Sequence, residues 1–113
     1  MRGLTLRLRA SGADMDSALS RFAGDEALYE ECFGMLLEDP AFAALDKALK
    51  AGNLSEAFDA AHALKGVTGN LGLTALYQAV CALMEPLRAR DCSALEGRYQ
   101  ALLAAKAALE ALR

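Results

Sequence analysis

The chain holds one histidine, three cysteines and only a mild excess of acidic over basic residues, and each scarcity closes off a class of function. Cys32, Cys81 and Cys92 are odd in number and show no CxxC spacing, which argues against a disulfide framework or a metal site and for a reducing compartment. A net charge of −3 gives no compositional reason to expect nucleic acid or an anionic membrane as partner. The amino-terminal stretch MRGLTLRLRA interrupts its leucines with Arg7 and Arg9, so it lacks the unbroken apolar core of a secretory leader. The longest uncharged run, 66–84, contains Asn70, Gly72 and Gln78, and a helix-stop signal splits it. It reads as two helix pieces meeting at a turn. These features together predict a cytoplasmic protein without a membrane span.

What is present points to one small helical domain. The 113 residues are 55% hydrophobic and 24% charged, the balance of a globule able to bury a core of its own. Helix punctuation recurs along the chain. Asp39-Pro40 is an N-cap followed by proline at the first helical position, and Gly52 ends that helix. Asn53-Leu54-Ser55-Glu56 and Ser93-Ala94-Leu95-Glu96 resemble capping boxes, Gly72 closes the helix begun at Asn53, and Gly24-Asp25 separates a short early helix from the next. Between these marks apolar residues return every three or four positions, as in Leu28, Cys32, Met35, Leu36 and in Leu76, Val80, Leu83, Leu87. Only Leu4, Leu6 and Leu8 alternate as a strand would. The predicted helices cover 25–38, 40–51, 53–71, 73–90 and 94–112. The expected fold is all-α: an antiparallel four-helix bundle in residues 25–113, preceded by an arm and short helix in 1–24, with five candidate helices for four places.

The lone His62 lies in AHALKGVTGNLGLTAL, where two glycines interrupt a segment that otherwise reads as helix, at about 1 kcal/mol each relative to alanine. At about 100° per residue, Leu54, Ala57, Ala61, Leu64 and Thr68 form one stripe, and His62, Lys65, Gly66 and Gly69 share its flank. The glycines strip side chains from around the imidazole, opening it to a large partner, while Lys65 brings a positive charge. Close helix packing is the competing explanation for Gly66.

The stretch AHALKGVTGNLGL resembles the signature of histidine-containing phosphotransfer domains, and the resemblance extends through GDEALYEECFGMLLEDPAF to essentially the whole chain. It implies a four-helix bundle in which His62 is the phosphorylated residue, Lys65 the charge supporting the phosphoryl group, and Gly66 the gap that admits the partner. Gly69, Ser55 and Asp59 join Gly66 as docking positions. Many members place a Gln or Glu on the following helix to orient the histidine. By spacing that position is Met84 here, with Glu85 adjacent. The implied partners are response-regulator receiver domains and a hybrid sensor histidine kinase, the implied state a monomer, and the implied activity that of a phosphocarrier with no cofactor of its own, Mg²⁺ being supplied by the receiver. A helical adaptor that binds signalling proteins without chemistry is the alternative, although it has no need of His62, Lys65 and Gly66 together.

Overall fold

Four of the α-helices begin where a short polar side chain takes up an amide that would otherwise lack a partner. A computed structural model describes residues 3–113, and among these the backbone forms seven α-helices and one short 3-10 turn. They are α1 (Gly3–Ala10), α2 (Met15–Arg21), α3 (Glu26–Leu37), α4 (Pro40–Lys50), α5 (Leu54–Asn70), α6 (Thr74–Ala89) and α7 (Leu95–Glu110), with the 3-10 turn over Cys92–Ala94. Asp39 accepts from the Ala41 amide at 2.8 Å ahead of α4, and Asn53 accepts from the Glu56 amide at 3.1 Å ahead of α5, as their sequence positions predict. The cap expected at Ser93 is not used. Asp91 accepts from both the Ser93 amide at 3.0 Å and the Ser93 hydroxyl at 2.7 Å, and α7 starts without a side-chain cap. A carboxylate is the stronger acceptor, and it draws the chain into the 3-10 turn first.

Helices α4 to α7 form the bundle, with each packed against the next in sequence. The turns between them are short, so neighbours run antiparallel. Tyr99 on α7 donates to Asp46 on α4 at 2.7 Å, and the Lys106 ammonium lies 4.9 Å from the Phe42 ring centre, which links the last helix to the first. The apolar stripe of α5 meets its expectation at Ala57, Ala61, Leu64 and Thr68, which are buried, while Leu54 at the start of the helix is half-buried. So does that of α6, where Leu76, Val80, Leu83 and Leu87 are buried. The run 66–84 is two helices meeting at a turn, and no helix of the described residues is long and apolar enough to cross a membrane.

The fifth candidate helix, α3, belongs with α1 and α2 over the end of the bundle where α5 gives way to α6. Tyr29 on α3 donates to the Leu71 carbonyl at 2.6 Å, and the Asp14 amide, just ahead of α2, donates to the Gly72 carbonyl at 2.8 Å. The stripe predicted for α3 is rotated in the structure. Leu28 and Met35 are 45% and 66% exposed, Cys32 is half-buried, and the buried set is Tyr29, Phe33, Leu36 and Leu37. Both sets obey helical spacing. The second buries two aromatic rings, and the Tyr29 hydroxyl finds a carbonyl partner, so it prevails. In α1 the leucine alternation resolves the same way: Leu4 and Leu8, one helical turn apart, are buried while Leu6 is 68% exposed.

Candidate functional site

Small residues place α5 at the centre of the site. Ala57, Ala60 and Ala61 are buried, and His62, the next residue along, is turned onto the exposed flank. Its ring stacks on Phe58, one turn earlier, with centroids 6.2 Å apart and planes inclined by 26°. Arg88 of α6 lies over the same phenyl ring, its guanidinium carbon 5.5 Å from the centroid. The imidazole makes no hydrogen bond among the described residues.

Beyond His62, towards the C-terminal end of α5, an open groove of about 480 Å³ is bounded by His62, Lys65, Gly66, Gly69, Tyr77 and Arg21. A Cβ at Gly66 would meet nothing within 4 Å, so helix packing does not account for this glycine. Gly69 differs. A Cβ there would lie 3.1 Å from the Tyr77 ring, so the missing side chain lets α6 bring its tyrosine against α5. No local sequence spacing marks Arg21. It reaches from α2 to donate to the carbonyls of Asn70 at 2.9 Å and Gly69 at 3.0 Å, closing the end of the groove with a cation on the negative end of α5. The groove walls carry two cations, Arg21 and Lys65, and no carboxylate.

The other predicted positions lie elsewhere. Ser55 and Asp59 are exposed on α5 before His62 and border a separate hollow with Phe58, Leu87 and Arg88. Met84 is buried in the core. Glu85 is exposed, and its carboxylate accepts from Arg88 at 2.8 Å. Neither hydrogen-bonds His62; Phe58 is the side chain that braces the ring. Phe58 stands four residues before His62, a spacing that places the two on one helix face and could have identified it. Tyr77 and Arg21 come from other helices, so no local spacing marks them. Among the described residues no cluster of three or more His, Cys, Asp or Glu side chains could hold a metal ion.

Chemically, the site offers an accessible nitrogen nucleophile, a nearby ammonium group, and clear helix surface beyond them. Comparison with curated proteins and with solved structures gives no match. Residues 37–113, which carry all four bundle helices and the flank of α5 described above, match the family model of the Hpt domain. The chain therefore belongs to the Hpt domain family, whose members are carriers in histidine phosphotransfer rather than kinases.

Proposed function

We propose that His62 is the phosphoacceptor of a relay between receiver-domain aspartates. The observation that carries this reading is the exposed imidazole bordering one groove with Lys65 and with Gly66, whose missing side chain leaves open space. A neutral ring nitrogen attacks the phosphorus of an aspartyl phosphate on the receiver. The N–P bond forms as the P–O bond to the aspartate breaks, the carboxylate leaves with the bonding electrons, and the reverse step on a second receiver restores the free histidine.

Transfer of this kind depends on positioning and charge neutralisation more than on covalent chemistry by the carrier. Lys65 offsets charge on the phosphoryl oxygens, Gly66 admits the receiver surface, and stacking on Phe58 limits the directions the ring can take. Mg²⁺ comes with the receiver, so this chain needs no cofactor. Its partners are response-regulator receiver domains and a hybrid sensor kinase, its state is monomeric, and its setting is the cytoplasm.

The test is incubation with phosphorylated receiver domains. Wild-type protein should acquire an acid-labile, base-stable label. His62→Gln should acquire none while keeping its helical circular dichroism. A label that persists in the mutant overturns the reading, and receiver binding without any label in the wild type would make the chain an adaptor.

A further inference from the structure

Arg21 stands outside residues 37–113, on a seven-residue helix, yet it forms one wall of the groove that contains His62. Its Nε donates to Asn70 O, one Nη to Gly69 O, and the other Nη to the Ser17 hydroxyl at 3.0 Å. A guanidinium has five N–H donors, so two remain, one on each terminal nitrogen. The residue is exposed. Asp14, which shares a neighbouring hollow with Arg21, accepts from the Ser17 amide as the cap of α2 and does not neutralise it.

Distance decides what those donors can reach. At 1.5 Å per residue, Gly69 and Asn70 lie about 10–12 Å along α5 from His62, whereas Lys65 is only about 4.5 Å along the axis. Lys65 is placed to meet a phosphoryl group on the imidazole, and Arg21 is too far down the helix to share it. A second cation, held open at the far end of a groove that has no carboxylate of its own, fits a second anionic group. That group must arrive on the docking partner.

We propose that Arg21 makes α2 a recognition element for the partner, binding a surface carboxylate of the receiver domain about 10 Å from the phosphorylated aspartate. Arg21 is thereby a specificity-determining residue: receivers with an acidic side chain at that separation dock, and receivers with a basic one are repelled. This inference rests on His62 being the phosphoacceptor.

The experiment measures phosphoryl transfer from a labelled receiver domain that donates to the wild type, as a function of receiver concentration and salt, for Arg21→Ala, Arg21→Lys and Arg21→Glu. Arg21→Ala should raise the half-saturating receiver concentration about 5-fold, and Arg21→Glu about 10-fold or more. Arg21→Lys should recover most of the loss. The rate at saturation should change far less than the half-saturating concentration. The difference between wild type and Arg21→Ala should shrink as salt rises from about 0.05 to about 0.5 M. A merely structural role at the end of α5 predicts instead a salt-independent loss that follows the melting temperature, and that result overturns the inference, as does equal half-saturation in all four proteins. If no receiver labels the wild type, the phosphoacceptor reading fails first and takes this inference with it.

Discussion

Gly66 and Gly69 sit three residues apart on one flank of α5, yet an added methyl group meets different surroundings at each. At Gly66 it enters open space; at Gly69 it meets the Tyr77 ring at 3.1 and 3.3 Å. Replacing a helical glycine by alanine gains up to about 1 kcal/mol from propensity. Gly66→Ala should therefore raise stability by close to that amount, and Gly69→Ala by less, because Tyr77 must first give way. Gly66→Gln should likewise be stabilised, and it should fail to accept a phosphoryl group from a receiver because its side chain occupies the docking surface. Thermal melting with a transfer assay checks both. A destabilised Gly66→Gln would show that the site packs against something the structure leaves open. This part of the site was legible because His62, Lys65, Gly66 and Gly69 lie on one helix, where spacing alone fixes a common face. Arg21 was not, since its bonds to Gly69 and Asn70 span 48 and 49 residues and no periodicity encodes such a meeting.

At the scale of elements, the turn from α5 to α6 is where the amino-terminal helices are fastened. Gly72 has a φ of +68°, the left-handed conformation that ends many helices, and its carbonyl accepts from the Asp14 amide. A Cβ at Gly72 would also collide with the Asp14 carbonyl oxygen. Gly52, between α4 and α5, has a similar φ of +71° but open space around it. Gly52→Ala should therefore lose only the conformational term, about 1–2 kcal/mol. Gly72→Ala should lose that plus about 1–3 kcal/mol from the forced contact, and α2 with Arg21 should loosen from α5. Denaturant unfolding compares the two, and equal losses would mean that the segment at Asp14 shifts freely. The sequence signals for helix ends were local: Asp39, Asn53 and Gly72 act through residues two to four positions away, and they read correctly. Which apolar face of α3 turns inward was not local. Leu28 and Met35 compete with Tyr29 and Phe33 on equal spacing, and the Leu71 carbonyl that receives the Tyr29 hydroxyl is 42 residues distant.

Across the whole molecule, two tyrosines join segments far apart in the chain, and both must stay protonated to do so. Tyr29 fastens α3 to the Leu71 carbonyl, and Tyr99 fastens α7 to Asp46 on α4. Burial pushes both hydroxyls above the ordinary value of 10.0, and for Tyr99 the bond to Asp46 adds to the effect. The unfolded chain therefore releases these protons at lower pH than the folded one, so stability is intact below pH 10 and falls above it. The limiting slope is about 1.4 kcal/mol per pH unit for each tyrosine still protonated in the fold and ionised in the unfolded chain. The acid side has the opposite sign. Hydrogen bonds from Lys50 and then Tyr99 hold the Asp46 carboxyl below its ordinary 3.8, so that contribution is present above this value and fades as pH falls further. Tyr29→Phe should cost about 1–3 kcal/mol at neutral pH, because the Leu71 carbonyl loses its buried donor. Combined with Tyr99→Phe, it should flatten the alkaline limb of a urea-midpoint profile taken between about pH 7 and about pH 11. An alkaline limb equally steep in the double variant would assign the loss of stability to Lys50, whose ammonium the hydrogen bond to Asp46 holds above its ordinary 10.5, and would separate the pH response of the molecule from the two bonds that hold α3 and α7 in place.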